Sequence, residues 1–177
     1  MTVDRLTSGK VIGRFNGRFE WGPRSLGNRS ILADPRSNEM KDLVNTKIKF
    51  REPFRPFAPS ALAEIAESYF ELPNATDNMA ARFMLLVTNV HEDKQDLIPA
   101  VSHMGTARVQ TVYKETNSSY YNLIERFGQS TGVPILLNTS FNVRGEPIVS
   151  SPNDALNTFR NSGIDTLVIG NHIVDKP

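Results

Sequence analysis

Two pairs of polar residues, each separated by one position, carry side chains suited to binding an anion. Lys49 and Arg51 flank Phe50, and in an extended chain their side chains would share one face. Ser140 and Asn142 alternate in the same way directly after an apolar run, and ligands of open α/β sheets sit beyond the carboxyl ends of strands. The first pair could instead be a solvated basic edge strand, and the second an ordinary turn.

A glycine-rich loop over residues 17–30 interleaves three arginines, among them Arg24, with three glycines. Glycine lets backbone N–H groups approach a ligand closely, and arginine supplies forked donors for phosphate or carboxylate. The loop is therefore a candidate anion-binding segment. The alternative is a surface loop whose arginines pair with Glu20 and Asp34.

Arg55 and Arg108 are further candidate anion ligands. Arg55 lies between two prolines that fix its backbone, and Arg108 stands at the start of a predicted strand. Cations gathered in one place repel each other, and a bound polyphosphate would relieve that repulsion. The pattern thus favours a phosphorylated ligand.

The charge is unevenly distributed along the 177 residues. Residues 1–60 contain 12 Lys and Arg against 6 Asp and Glu, whereas residues 61–177 contain 8 against 13, within a net charge of +1. The basic third indicates an anionic partner, although chance clustering of surface charges would give the same split.

Several classes of site and protein are excluded by composition and motif. The chain has no Cys, so thiol catalysis and a Cys-based zinc site are excluded, and its three His, none spaced as a metal-binding pair, argue against a His-based metal site. It contains no phosphate-binding loop of the GxxxxGK[ST] type and no nucleophile elbow. No apolar run is long enough for a membrane span or a signal peptide, so we expect a cytoplasmic protein.

Hydrophobic periodicity and turn residues predict a mixed α/β fold in one domain, residues 1–177. The predicted strands cover residues 10–15, 82–90, 108–113, 133–137 and 166–169. The predicted helices cover residues 37–48, 62–70, 118–127 and 151–159, while residues 16–29 and 51–59 are expected to be looped or extended. The last helix has a clear start, because Ser151 precedes a proline and Asp154 follows three positions later.

Five long segments resemble the C-terminal domain of the O-carbamoyltransferases, the family that includes nodulation-factor and antibiotic carbamoyltransferases. The segments are GRFEWGPRSLGNRSILADPR (17–36), NTKIKFREPFRPFAPS (45–60), IPAVSHMGTARVQTV (98–112), GVPILLNTSFNVRGEPIV (132–149) and SPNDALNTFRNSGIDTLVIG (151–170). The resemblance implies a YrdC-like fold, a twisted sheet with flanking helices around a deep basic cavity.

The resemblance also implies a reaction. Members of this family are thought to use carbamoyl phosphate and ATP to form carbamoyl-adenylate, releasing phosphate and pyrophosphate. Mg²⁺ would bridge the ATP phosphates and be held mainly by substrate oxygens and water, with no metal ligand from this chain. An N-terminal metal-binding domain then transfers the carbamoyl group to an acceptor hydroxyl, and membranes play no part.

Seven residues match positions that the family uses for substrate. The resemblance assigns catalytic roles to Lys49, Arg55, Arg108 and Ser140, and substrate or nucleotide binding to these four together with Arg24, Arg51 and Asn142. These residues would position substrate and neutralise its oxyanions.

The sequence departs from the family pattern in two ways. Met104 stands where many relatives carry Asp just before the Gly-Thr-Ala-Arg segment. The N-terminal metal-binding domain is absent, so we expect a fragment of a longer chain that does not complete carbamoyl transfer alone.

Two other functions compete with carbamoyl-adenylate formation. Some YrdC-like proteins bind RNA, and the basic third carries Phe50, Phe54 and Phe57, although it has no run of basic residues. A purely structural or docking domain is the other alternative.

Overall fold

A seven-stranded mixed sheet forms the centre of the molecule in a computed structural model that describes all residues, 1–177. Its strands are β1 (Ile12–Phe15), β2 (Arg29–Ala33), β3 (Ala58–Leu62), β6 (Gln110–Val112), β7 (Ile135–Ser140), β8 (Thr166–Ile169) and β9 (His172–Asp175). They lie in the order β6-β3-β7-β2-β1-β8-β9. The pairs β1–β8 and β3–β6 are parallel and the other neighbours are antiparallel, which confirms the mixed α/β prediction.

Helices and a small second sheet surround this central sheet. The α-helices are α1 (Thr2–Thr7), α2 (Asn38–Leu43), α3 (Met79–Arg82), α4 (Glu92–Gln95), α5 (Ser118–Thr131) and α6 (Pro152–Arg160). A π-helix, Val44–Lys49, continues α2, and two 3₁₀ turns cover Ala66–Ser68 and Ala75–Asp77. Strands β4 (Thr88–Asn89) and β5 (Thr106–Ala107) pair separately. None of the helices is long and apolar enough to cross a bilayer.

Each face of the sheet buries its own apolar cluster. On one face, Ile12, Leu32 and Leu136 pack with Tyr120 and Phe127 of α5. The opposite face carries the larger cluster, to which α2, the π-helix and α6 contribute. Alternation along each strand explains the arrangement, because successive side chains point to opposite faces.

Most predicted elements are confirmed, and their ends have physical reasons. The helix at Ser151 begins with a complete capping box between Ser151 and Asp154. Helix α5 runs past Gly128 and ends at Gly132, whose φ of 78° is the left-handed value that ends many helices. Gly128 lies against Pro134, and a Cβ there would be 2.6 Å from the proline Cβ.

Two predicted elements are wrong. In place of the helix expected over 62–70, the structure has the last residue of β3 and a 3₁₀ turn. Strand β3 forms because it pairs with β6 on one side and with β7 on the other. Of the buried strand expected over 82–90, only the two residues of β4 form a strand. Leu85 and Val87, which precede β4, are 63 % and 60 % exposed. That apolar run lies outside the central sheet, so nothing pairs with most of it. Strands β2, β3, β5 and β9 were not predicted.

Candidate anion-binding site

Lys49 links the two polar pairs at the carboxyl end of β7. Its Nζ donates to the carbonyl oxygen of Ser140 at 2.5 Å and to the carbonyl and Oδ1 of Asn142 at 2.9 and 2.8 Å. The Ser140 Oγ lies 3.3 Å from the same nitrogen and donates to Asn142 Oδ1 at 2.7 Å. Ser140 and Asn142 therefore converge on Lys49 Nζ and on each other, and their binding of a common ligand stays a prediction.

The backbone around Lys49 is not the extended strand that the sequence suggested. Lys49 is the last residue of the π-helix, and Phe50 adopts a left-handed conformation with φ of 48°. The sharp turn at Phe50 still leaves Lys49 and Arg51 beside the same cavity. The hypothesis of an extended segment is wrong, and the binding of an anion by these two cations stays a prediction.

Lys49 is a buried cation with an altered protonation equilibrium. Only 5 % of the residue is exposed, and every hydrogen-bond acceptor of its Nζ is a neutral oxygen of Ser140 or Asn142. Burial, assisted by the charge of Arg51, lowers the pKa of Lys49 to about 7. An anion beside this amine would favour its charged form, because opposite charges raise the pKa of a cation.

Arg51 and Arg55 are held in place by different partners. The Arg51 Nε donates to Asn45 Oδ1 at 2.7 Å, and its guanidinium lies 4.7 Å from the ring centroid of Phe57. Arg55 pairs with Glu52 at 2.9 Å, with both side chains about half exposed. Arg51 is thus pre-oriented, while Arg55 can exchange its surface carboxylate for a ligand at small cost.

These residues line one cavity of about 270 Å³. Its walls are Lys49, Arg51, Glu52, Arg55, Ser140, Asn142, Val143, Arg144 and Gly145. Five of the seven predicted site residues meet here, and four cations face a single carboxylate. Arg144 was not predicted, although it stands two positions after Asn142 in a segment already singled out.

Arg24 and Arg108 form a second, neighbouring cationic pair and do not line this cavity. The Nε atoms of both are buried and have no acceptor. Burial and the charge of Arg24 lower the pKa of Arg108. Two adjacent cations without a carboxylate form a place where an anion would be stabilised.

The register of the sheet relates the two groups of cations. Ser140 ends β7, and the antiparallel neighbours β2 and β3 begin near it. Strand β6 runs parallel to β3 and begins at Gln110, two residues after Arg108. All seven predicted residues therefore belong to segments that meet at the carboxyl end of β7.

A buried polar network fixes the loop that carries Arg24. Asn138 Nδ2 donates to the Ser25 carbonyl at 3.0 Å and to Gln110 Oε1 at 2.9 Å, and Gln110 Nε2 donates to the Leu26 carbonyl at 2.9 Å. Gly27 packs against Tyr120, where a Cβ would come within 2.3 Å of the ring. The loop is thus tied to β6, β7 and α5 immediately after Arg24.

Glu20 and Asp34 are not partners of the loop arginines. Glu20 accepts backbone N–H groups from Leu26 and Asn28, and Asp34 pairs with Arg36 at 2.6 Å. The surface-pairing alternative for this loop is therefore wrong. Glu20 instead closes the loop on itself.

Two remaining features bear on metal binding and on the departure at Met104. The structure has no group of three or more His, Cys, Asp or Glu that could hold a metal ion. Met104 is 91 % exposed in a turn with φ of 51°, between the backbone-paired residues His103 and Thr106.

Comparison with known proteins gives a consistent result. The family model described as "Carbamoyltransferase C-terminus" matches residues 3–176. Nodulation protein NolO of Bradyrhizobium diazoefficiens is 51 % identical over 175 residues, which are 98 % of this chain and 32 % of that protein. Nodulation protein NolNO of Sinorhizobium fredii is 51 % identical over 172 residues, which are 97 % of this chain and 25 % of that protein. The chain thus spans between a quarter and a third of the length of these relatives.

Solved structures support the fold. Full-length HypF in a phosphate- and nucleotide-bound form matches 99 % of this chain and 21 % of its own, with a TM-score of 0.62 and 14 % identity. HypF of T. kodakarensis matches 90 % of this chain and 19 % of its own, with a TM-score of 0.58 and 17 % identity. The YrdC-like fold that the family resemblance implied is confirmed.

Proposed function

The chain belongs to the carbamoyltransferase C-terminus family, and from this premise we propose that it binds ATP and carbamoyl phosphate and forms carbamoyl-adenylate. The observation that carries the proposal is the cavity at the end of β7, where Lys49 is held by Ser140 and Asn142 among three arginines. Phosphates are the ligands for which clustered lysine and arginine donors are best suited.

The reaction balances with one water molecule. Water cleaves the P–O bond of carbamoyl phosphate, which gives phosphate and carbamate. A carbamate oxygen then attacks the α-phosphorus of ATP, forms the new O–P bond and expels pyrophosphate. Because every species in these steps except water is anionic, positioned cations supply most of the catalytic effect.

Each predicted residue, together with Arg144, has a role in this scheme. Lys49, Arg51, Arg55 and Arg144 stabilise the polyphosphate, and Ser140 and Asn142 orient it through hydrogen bonds. Arg24 and Arg108 hold the second anionic group beside the first. In this arrangement Lys49, Arg55, Arg108 and Ser140 touch the reacting groups and are the catalytic residues.

Magnesium enters this scheme as part of the substrate, bound to ATP. The single carboxylate of the cavity, Glu52, is paired with Arg55 at 2.9 Å and is half exposed. Phosphate oxygens and water are the remaining ligands for Mg²⁺, which keeps several waters in most protein sites.

The product of this chain would be used elsewhere in a longer protein. Its curated relatives are three to four times longer than the matched region. We propose that residues 1–177 are one domain and that an N-terminal metal-binding domain transfers the carbamoyl group to an acceptor hydroxyl. A cytoplasmic location, where ATP is available, belongs to the same proposal.

Release of pyrophosphate tests the proposal. The protein is incubated with Mg-ATP with and without carbamoyl phosphate, and pyrophosphate is measured. We expect release that requires carbamoyl phosphate and that falls at least about tenfold in Lys49→Met, because a hydrogen bond to a charged group contributes about 1.5–3 kcal/mol. The exposed Lys47 gives a matched control, Lys47→Met, which should be unchanged. Pyrophosphate release at the same rate with and without carbamoyl phosphate would contradict the proposal.

RNA binding is a second candidate because aromatic side chains are exposed beside the cavity. Phe50 and Phe54 are 48 % and 69 % exposed, whereas Phe57 is buried under Arg51. Exposed aromatic rings among cations can stack on bases. An affinity for RNA that falls steeply with salt and is unchanged by ATP would favour this candidate.

A further inference from the structure

A groove separate from the cavity at Lys49 runs along α5. It has a volume of about 900 Å³ and shares no lining residue with that cavity. Helix α5 lies on one side of it and the first turn of α1 on the other. Ile12 and Leu32 beneath it are fully buried, and the apolar side chains that stay partly exposed along it are Val3, Leu123 and Val168. The groove therefore combines a small accessible apolar surface with hydrogen-bonding side chains.

Arg14 is a buried cation that lines this groove without a carboxylate partner. Only 4 % of the residue is exposed, and its Nη2 donates to Ser119 Oγ at 3.0 Å. Its guanidinium carbon lies 5.6 Å from the ring centroid of Tyr120, and no salt bridge forms with it. The other guanidinium nitrogens have no acceptor in the chain, yet they are not sealed from solvent. Donors of a buried arginine thus remain available to a ligand in the groove.

The carboxylates nearest to this region are engaged elsewhere. Glu20 accepts N–H groups from its own loop, and Asp4 on the α1 wall contacts the terminal amine at 2.6 Å. Burial lowers the pKa of Arg14, because the guanidinium leaves water without a contacting negative charge. An anion in the groove would supply that charge.

The start of α5 adds backbone donors at the same place. Asn117 caps the helix by accepting the N–H of Tyr120, which leaves the N–H groups of Ser118 and Ser119 without an acceptor. Both serines line the groove, and Arg14 is bonded to the second of them. The amino end of a helix attracts anions through these free donors and the helix dipole.

We propose that the groove binds a phosphomonoester with an apolar or aromatic body. The phosphate contacts Arg14 and the free N–H groups of Ser118 and Ser119. The body lies on the partly exposed side chains of Val3, Leu123 and Val168. This site is independent of the proposed carbamoyl-adenylate chemistry, because none of its residues belongs to the cavity at Lys49.

Nuclear magnetic resonance of the ¹⁵N-labelled 177-residue protein tests the proposal residue by residue. Inorganic phosphate, phenyl phosphate and benzoate are titrated separately. With phenyl phosphate, the amide resonances of Ser118 and Ser119 should shift to saturation, accompanied by Val168. The midpoint for phenyl phosphate should be lower than for inorganic phosphate, because the ring buries apolar surface.

Three variants separate this site from the cavity and from a structural effect. Arg14→Gln should raise the midpoint of the phenyl phosphate titration at least tenfold. Arg14→Lys should give an intermediate midpoint, because lysine keeps the positive charge but lacks the paired N–H donors of the guanidinium. Lys49→Met should leave the midpoint unchanged. If Ser118 and Ser119 do not shift, or if the folded Arg14→Gln and Arg14→Lys proteins keep the original midpoint, the site is overturned. Tighter binding of benzoate than of phenyl phosphate would overturn the assignment to phosphate.

Discussion

At the scale of single residues, Lys49 connects the protonation state of the protein with its proposed ligand. The side chain is buried, its acceptors are neutral oxygens of Ser140 and Asn142, and its pKa falls to about 7. In the unfolded chain the same amine would titrate near 10.5. Between these two pH values the unfolded state holds one more proton than the folded state, so stability rises with pH.

This difference gives a prediction for stability. The free energy of unfolding of the wild type should rise between pH 7 and pH 10 relative to that of Lys49→Met, which has no titrating amine. Urea unfolding at a series of pH values measures both. Lys47→Met, which removes an exposed amine from the same π-helix, should follow the wild type. If the stability difference between wild type and Lys49→Met is independent of pH, Lys49 is not the buried, easily deprotonated amine described here.

Site residues could be predicted from the sequence where the pattern that identifies them lies in neighbouring positions of the chain. Ser140 and Asn142 alternate along one strand end, so their convergence could be predicted from spacing alone. Arg144 was missed because its entry into the cavity depends on the turn after Asn142. Arg14 was also missed, since nothing in its neighbours along the chain indicates that α5 will cover it.

At the scale of elements, the loop over 16–28 depends on the strands beneath it. Asn138 and Gln110 project from β7 and β6 and donate to the carbonyl groups of Ser25 and Leu26. These hydrogen bonds are buried, and a buried carbonyl left without a donor is costly. The sheet therefore holds the backbone next to Arg24.

Removal of the Asn138 amide should loosen this loop. In Asn138→Ala we expect the free energy of unfolding to fall by about 1–3 kcal/mol, because the Ser25 carbonyl loses its donor. Hydrogen exchange should accelerate in the loop more than in α6. The exposed Asn157 on α6 gives the control Asn157→Ala, expected to stay within about 0.5 kcal/mol of the wild type. Unchanged exchange in the loop would show that Asn138 does not hold it.

Elements were predictable where their signal was local. The capping box at Ser151 and the apolar face of α5 each depend on residues that are close together in the sequence. Both helices are present, although α5 extends beyond the predicted residues 118–127. Strand β3 was missed, and a helix was predicted from its last residue onward, because the pairing of β3 with β6 and β7 comes from residues 50 to 80 positions away. The helix and strand propensities of residues 62–70 contain no information about these distant pairing partners.

At the scale of the whole molecule, the sheet order explains how distant segments form one cationic region. The order β6-β3-β7-β2-β1-β8-β9 puts β7 between β3 and β2, so its end at Ser140 lies among segments from both halves of the chain. Lys49, Arg51 and Arg55 come from the basic first third, whereas Arg108 and Arg144 come from the acidic remainder. The charge split therefore indicated an anionic ligand but located only part of its site.

Binding of ATP to the whole protein tests the central claim most directly. Calorimetric titration of Mg-ATP into wild type, Lys49→Met and Lys47→Met at pH 7 compares the cavity amine with a matched surface amine on the same helical turn. The account predicts saturable binding that weakens at least about tenfold in Lys49→Met and is unchanged in Lys47→Met. Equal affinities in all three proteins, or no binding by the wild type, would contradict it.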